Sequence, residues 1–208
     1  MEASGKTLLC RRLQGLHRKE APSVPFNTYT VATSGIQLTE VACPKGTPHI
    51  KSLMMREVGG QMAPLWPTYF EDCRMVLFVV DASDAAAVAP AAVELCEMMS
   101  HPAMADKPVC VVLTKQDHAL VLSRQELELV MHLSDLERAC EPGQFCVVEA
   151  SAIPGGFAAA PGGAEREGMR FDGAALVLEW MVERKAAALG LPHVSVSPLG
   201  AGQRTDYG

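Results

Sequence analysis

The chain has 208 residues, a net charge of −6 at neutral pH, and 49% apolar against 20% charged residues. This length and balance fit one globular domain with an ordinary hydrophobic core and exclude a wholly disordered chain. The net negative charge argues against a nucleic-acid partner. The seven cysteines are scattered without a Cys-x-x-Cys pair. This spacing favours reduced thiols in the cytoplasm and disfavours a zinc site.

Membrane attachment is not indicated by the sequence. No apolar run approaches the roughly 18 residues of a transmembrane helix, so we expect no transmembrane segment. The residue at position 2 is Glu, whereas N-myristoylation requires Gly there. We therefore expect a cytoplasmic monomer, with peripheral membrane contact left open.

Hydrophobic periodicity predicts an alternation of strands and helices. In chain order the predicted elements are a helix over 6–18, a loop over 19–35, a hairpin of Ile36–Cys43 and Ile50–Val58, a strand over Met75–Val80, a helix over 84–100, a strand over Val109–Leu113, a helix over 123–139, a strand over Phe145–Val148 and a helix over 172–189. We assign 1–189 to one domain, with 154–170 as a flexible insertion and 190–208 as a disordered tail.

Such an alternation predicts an α/β fold with a mainly parallel sheet and helices on both faces. Sheets of this kind bind ligands at the carboxyl ends of their strands. The residues that follow predicted strands or begin predicted helices are therefore the candidates for chemistry.

The first candidate is Gly5-Lys6-Thr7, at the start of the first predicted helix. A phosphate-binding loop needs converging backbone N–H groups, a lysine for phosphate and a hydroxyl for Mg²⁺. Only the second half of the G-x-x-x-x-G-K-[ST] pattern is present, because its first glycine would precede Met1. A chance tripeptide at a helix start is the alternative.

The second candidate is Gly59-Gly60-Gln61, directly after the second hairpin strand. A glycine there allows the backbone to approach a γ-phosphate, and the glutamine can orient an attacking water. A simple glycine turn is the alternative.

Two further segments follow buried strands and suit a guanine base. In Thr114-Lys115-Gln116-Asp117, the carboxylate can accept from the N1–H and amine of guanine while the lysine stem covers the base. The backbone of Ser151 and Ala152 can reach the guanine O6 after the next strand. A polar turn that caps the strand is the less favoured alternative for Thr114-Lys115-Gln116-Asp117, and the segment with Ser151 and Ala152 carries almost no weight by itself.

Together, these segments resemble the Arf family of small GTPases. The longest match covers 56–70, where Gly-Gly-Gln is followed by a Leu-Trp and a Tyr-Phe pair, and 78–84 is similar to the family's next strand. The resemblance covers roughly 3–185. It implies a three-layer, Ras-like P-loop fold that binds GTP and GDP with Mg²⁺ and hydrolyses GTP slowly. It further implies that effectors, exchange factors and GTPase-activating proteins bind the switch regions, in membrane trafficking or ciliary processes.

The resemblance assigns roles to individual residues. Those implied to bind nucleotide are Gly5, Lys6, Thr7, Gly60, Thr114, Lys115, Asp117, Ser151 and Ala152. Gln61 is implied to orient the catalytic water. Thr7 and Thr30 are implied to hold Mg²⁺, with Thr28 and Thr33 as alternatives to Thr30.

One feature departs from the family pattern. The family's first, central strand has no counterpart upstream of Met1. Its loss would leave neighbouring backbone groups unpaired, so we expect the first residue to be internal to the natural protein, or the chain to be a degenerate member.

The competing functions are a nucleotide-poor scaffold that acts through the switch II surface, and a P-loop ATPase or nucleotide kinase.

Overall fold

The computed structural model describes residues 3–16, 27–33, 35–44, 47, 49–153 and 173–191. Its α-helices are α1 (Lys6–Gly15), α2 (Pro67–Phe70), α3 (Ala85–Met99), α4 (Arg124–Met131), α5 (Leu133–Ala139) and α6 (Gly173–Ala188). Its strands are β1 (Ile36–Ala42), β2 (Ser52–Val58), β3 (Val76–Asp81), β4 (Val109–Thr114) and β5 (Phe145–Glu149). Short 3₁₀ helices cover Gly60–Leu65 and Pro102–Met104.

The core of the fold is a parallel sheet in the order β3-β4-β5. All six residues of β4 are buried, because this strand has neighbours on both edges and helices over both faces. The register places Asp81 of β3 beside Thr114 of β4, and Leu113 of β4 beside Glu149 of β5. The polar residues that follow these strands therefore come together at one edge of the sheet.

Two hydrophobic clusters cover the two faces of this sheet. Side chains on β3 alternate between them: Phe78 and Val80 belong to the cluster formed with α3, α4 and α5, whereas Val79 belongs to the cluster formed with α1 and α6. The result is the three-layer α/β arrangement predicted from the sequence, and the fold class is confirmed.

β1 and β2 form a separate antiparallel hairpin, with Ile36 opposite Val58 and Ala42 opposite Ser52. Among the described residues the hairpin has no ladder to the parallel sheet, so the strands form two sheets rather than one. It is held instead by side-chain packing, because Val41 and Leu53 join the cluster of α1 and α6.

The prediction of one helix over 123–139 is wrong. His132 adopts a left-handed conformation with φ of 51°, and this residue separates α4 from α5. A capping box formed by Ser123 and Glu126 begins α4. A backbone break at a single non-glycine residue leaves no mark on the apolar periodicity, which continues through both helices.

Three further sequence predictions concern the cysteines, a membrane-spanning helix and the segments predicted to be unstructured. All seven cysteines are free thiols. Within the described residues, no helix combines the length and the apolar character that a membrane crossing requires. The predicted insertion over 154–170 and the tail from 192 onward lie outside the described residues, so both stay predictions.

Candidate functional site

A cavity of about 340 Å³ lies at the amino end of α1 and the carboxyl ends of β2 and β4. Four separate parts of the chain line it, because the fold brings the ends of these elements together. The lining residues are Ala3–Leu8, Thr30–Thr33, Glu57, Gly60, Gln61 and Lys115. The structure thus gathers most of the predicted phosphate-side residues around one space.

The amino end of α1 is suited to an anion. Gly5 precedes the helix with φ of 84°, a conformation that glycine adopts without steric cost. No side chain caps this helix, so its first-turn N–H groups and the positive end of its dipole face the cavity. Lys6 adds a positive charge at the same place, and its Nζ donates to Ser4 Oγ over 3.2 Å.

Two hydroxyl groups and one carboxylate meet at the side of the cavity. The Oγ1 atoms of Thr7 and Thr33 donate to Glu57 Oε1 over 2.5 Å and 2.9 Å, and the two hydroxyl oxygens are 3.1 Å apart. Thr33, one of the alternatives to Thr30, is therefore the threonine of this loop that contacts Thr7 and Glu57. Thr30 lines the cavity, but it is exposed.

This group has the donor chemistry of a magnesium site. Glu57 is 5% exposed, and its Oε2 is buried with no hydrogen-bond partner. A buried, unpaired carboxylate oxygen is costly unless a cation or donor meets it. Mg²⁺ takes few protein oxygens and completes its shell with phosphate and water.

The glycine pair after β2 brings two loops into contact. Gly59 donates its N–H to the Gly35 carbonyl over 3.2 Å. A Cβ at Gly59 would lie 2.1 Å from the Thr33 carbonyl oxygen, so only glycine fits. Trp66 Nε1 also donates to the Gly59 carbonyl, over 3.5 Å. The position of Thr33 therefore depends on the backbone after β2.

Thr114 connects the two halves of the site. Its Oγ1 lies 2.7 Å from the Ser4 carbonyl oxygen and 2.8 Å from the Val80 carbonyl oxygen. These contacts join the end of β4 to the residue before Gly5 and to β3. The resemblance implies that Thr114 belongs to the nucleotide-binding residues and that its hydroxyl can tie the base loop to the phosphate loop; the structure has a contact of that kind, to the residue before Gly5.

Lys115 is held at the entrance to the cavity by an ion pair. It adopts φ of 60°, and its Nζ lies 2.5 Å from Asp81 Oδ2. Burial pushes the pKa of Asp81 upward, but hydrogen bonds from Lys115 and Ser83 and the lysine charge outweigh it. The pKa of Asp81 therefore lies below its ordinary value, and the carboxylate is ionised at neutral pH.

Asp117, Ser151 and Ala152 do not line the cavity but form a group beside it. Ser151 Oγ donates to Asp117 Oδ1 over 2.6 Å and accepts from the Ile153 N–H over 3.1 Å. Ser151 and Ala152 are buried. The contact fixes Asp117 against the segment after β5, as expected if both belong to one base pocket.

The contributions of Gly59 and Asp81 were not predicted from the sequence, and Thr33 was only among the predicted alternatives. The signal for Gly59 was the glycine pair itself, and the signal for Asp81 was an acidic residue ending an apolar strand. Neither pattern identifies a partner, because the partners Thr33 and Lys115 are distant in sequence.

The fold matches that of a small GTPase of known structure. The Arl6 small GTPase of Trypanosoma brucei, solved with the bound nucleotide analogue GppNp, superposes with a TM-score of 0.58 and 22% identity. The alignment covers 74% of this chain and 84% of that chain. At this identity the likeness establishes the fold alone, which is the fold of the small GTPase class.

Sequence comparison then places the chain within that class. Residues 1–159 match the ADP-ribosylation factor family. ADP-ribosylation factor-like protein 16 of Homo sapiens is 31% identical over 152 residues, 73% of this chain and 74% of that protein. ADP-ribosylation factor-like protein 1 of Saccharomyces cerevisiae is 28% identical over 158 residues, 74% of this chain and 76% of that protein. The chain belongs to the ADP-ribosylation factor family.

The close approach at Gly59 predicts a strong effect of a single methyl group. We expect Gly59→Ala to lower the free energy of unfolding by about 1–3 kcal/mol, because its Cβ would overlap the Thr33 carbonyl. Hydrogen exchange in 27–33 should become faster. Gly15→Ala is the control, because no atom lies within 4 Å of its added Cβ, and it should cost nothing. Equal stability of the two variants, measured by denaturant unfolding, would contradict the contact.

Proposed function

We propose that this protein is a guanine-nucleotide switch that binds GTP and GDP with Mg²⁺ in the 340 Å³ cavity. One observation carries the proposal: Thr7, Thr33 and Glu57 converge beside the amino end of α1, and one buried Glu57 oxygen has no partner. A phosphate chain with a bound metal ion would satisfy both the helix terminus and the carboxylate. Its anionic oxygens suit the helix terminus, and its cation suits the carboxylate.

The phosphate side of the mechanism uses residues at the start of α1 and after β2. The first-turn N–H groups and Lys6 bind the phosphates and stabilise the charge that develops during transfer. The side chains of Thr7 and Thr33 would hold the Mg²⁺, with Glu57 behind them. When bound, the cation neutralises phosphate charge. Gly60 leaves room for the γ-phosphate, and Gln61 orients the attacking water.

Hydrolysis by the isolated chain should be slow. No arginine is among the described residues that line the cavity. A guanidinium at the transferred phosphate accelerates phosphoryl transfer by several orders of magnitude. A GTPase-activating protein would therefore supply what this chain lacks, and the GTP state would persist without it.

The base side explains a preference for guanine over adenine. Ser151 occupies one lone pair of Asp117 Oδ1, which leaves acceptor capacity on both carboxylate oxygens. Guanine presents its N1–H and its exocyclic amine to such a carboxylate, and adenine does not offer that donor pair. The stem of Lys115, held by Asp81, would cover the base. This preference also separates the proposal from an ATPase or nucleotide kinase.

Switching follows from the contacts between the two loops. Gly59 bonds to Gly35 and closely approaches Thr33, so a change at the γ-phosphate would move both segments together. The same segments expose large apolar side chains: Tyr29, Val31 and Leu65. Effectors, exchange factors and GTPase-activating proteins would bind this surface, in membrane trafficking or ciliary processes and at peripheral membrane sites. The family relationship gives no support to a nucleotide-poor scaffold.

Substitution of two neighbouring threonines tests the assignment of the metal ligand. We expect Thr33→Ala to weaken Mg²⁺ binding in the presence of GTP by about 10- to 100-fold, since a contact to a charged group is worth about 1.5–3 kcal/mol. Thr30→Ala removes the same hydroxyl from a residue without that contact, and it should leave Mg²⁺ binding unchanged. A Mg²⁺ titration monitored by a fluorescent nucleotide measures both. If Thr30→Ala weakens Mg²⁺ binding and Thr33→Ala does not, the ligand is Thr30.

Base recognition is tested by removing one carboxylate. Asp117→Ala should weaken GTP and GDP binding by about 100-fold or more, because two hydrogen bonds to a charged group are lost. Asp106→Ala removes an exposed carboxylate before the amino end of β4 and serves as the control. In competition with a fluorescent GDP, GTP should displace the probe and ATP should not. Equal displacement by ATP, or full affinity of the Asp117 variant, would refute the guanine assignment.

A further inference from the structure

The 3₁₀ helix Gly60–Leu65, which carries Gln61, has no buried residue of its own. Its placement therefore depends on the residues at its two ends. Before it, the Gly59 N–H makes a backbone hydrogen bond of 3.2 Å to the neighbouring loop. After it, the Trp66 ring packs edge-to-face against Phe78, with ring centroids 6.2 Å apart. The position of Gln61 is set from outside the segment that carries it.

α2 continues directly from Trp66, and it is too short to hold itself in place. It has four residues, of which Phe70 is the buried one. A helix of one turn is unstable in water, because fixing its backbone gains too few hydrogen bonds and its carbonyl groups lack partners within the helix. The position of α2 must therefore come from contacts that other parts of the chain make with it.

One lysine side chain supplies such contacts at the carboxyl end of α2. Lys107 Nζ donates to the Phe70 carbonyl at the end of the helix. It also donates to the Glu71 and Cys73 carbonyls in the following turn, over 3.2 Å and 2.8 Å. An ammonium group has three donors, so all the donors of this group are engaged. Its positive charge also suits the carboxyl end of a helix.

The backbone that carries Lys107 is fixed by the parallel sheet. Its own N–H bonds to the Met104 carbonyl over 3.0 Å, and the Pro108 carbonyl accepts from the Val76 N–H over 2.9 Å. Val109 then begins β4, in which every residue is buried. Lys107 therefore joins α2 to a part of the fold that cannot move without disturbing the close-packed core.

This contact lies far from the candidate nucleotide cavity. Lys107 precedes the amino end of β4, whereas Gln61 and Lys115 line the cavity at the carboxyl end. The six residues of β4 span about 20 Å. The chain from Gln61 to Phe70 thus begins at one end of the sheet, and Lys107 holds it at the other.

We propose that Lys107 is a positioning residue of the nucleotide switch, an inference that rests on the proposed function. Lys107 holds the carboxyl end of α2 stationary in both nucleotide states, so the motion caused by the γ-phosphate ends at Trp66. Gln61 therefore returns to one position whenever GTP is bound. Without the Lys107 contacts, Gln61 would sample many positions, and few of them would orient the attacking water.

The test compares Lys107→Met with Lys51→Met. The first variant removes the three hydrogen bonds and keeps a long apolar stem, and the second removes the same charge from an exposed lysine. Hydrogen exchange without nucleotide comes first, because it does not depend on the proposed function. We expect exchange in 67–73 to be about tenfold faster in Lys107→Met, since hydrogen bonds to a charged group are lost, and unchanged in Lys51→Met.

Single-turnover hydrolysis of GTP separates a positioning role from a purely structural one. We expect Lys107→Met to slow hydrolysis about tenfold, since the water is less well oriented. The affinity for GTP, measured with a fluorescent nucleotide, should stay unchanged, because none of the three carbonyl groups belongs to a residue that lines the candidate nucleotide cavity. Lys51→Met should change neither quantity.

Hydrogen exchange in the two nucleotide states locates the end of the moving segment. Between GDP and a non-hydrolysable GTP analogue, we expect the wild-type chain to differ within 59–66 and not within 67–73. In Lys107→Met the difference should extend through 73. A difference that already reaches 73 in the wild-type chain would overturn the inference.

Labelling of the wild-type chain keeps the test decisive if Lys107→Met does not fold. With an amine-acylating reagent and peptide mapping, Lys107 should react about tenfold more slowly than Lys51, because its ammonium group is engaged by three carbonyl groups. Equal labelling of the two lysines would show that the contacts are not maintained, and the inference would fail.

Failure of this inference can be told apart from failure of the proposed function. A wild-type chain that binds no nucleotide overturns both. If the wild-type chain binds and hydrolyses GTP, the inference alone is overturned when Lys107→Met leaves exchange in 67–73 unchanged. It is also overturned when that variant loses GTP affinity and hydrolysis equally, because Lys107 would then support the whole site instead of positioning Gln61.

Discussion

The burial of β4 is the constraint on which the rest of this structure depends. A strand covered on both faces and paired on both edges cannot shift its register without exposing apolar side chains or breaking two ladders. Its parallel neighbours are thereby fixed in direction, and Asp81, Thr114 and Ala150 end at one edge of the sheet. Polar side chains lie at this edge because the backbone that leaves a buried sheet must turn toward solvent.

Side-chain contacts then connect that edge to α1 and the hairpin. Thr114 bonds to the residue before Gly5, and Glu57 bonds to Thr7. Thr114 and Glu57 are at most 5% exposed, in surroundings where a lost partner is costly. The site is consequently assembled from elements of two separate sheets. Its geometry therefore depends on how firmly those two sheets are held together.

The sequence predicted the buried strands, the hairpin and the candidate residues that follow them, because apolar runs and terminal polar residues are local patterns. It did not predict the break at His132, which is a single backbone angle. It placed Thr30 ahead of Thr28 and Thr33, and a loop rich in threonine has no periodicity that shows which of them contacts Glu57.

The central claim is that Mg²⁺ and a guanine nucleotide bind together at the carboxyl edge of the strands. Hydrogen exchange of the full chain, with and without Mg²⁺ and a non-hydrolysable GTP analogue, tests it most directly. We expect slower exchange in 3–8, 30–33, 57–61 and 114–117, with exchange in 102–108, at the opposite end of the sheet, unchanged. Unchanged exchange in all of these segments, or protection confined to the opposite end, would contradict it.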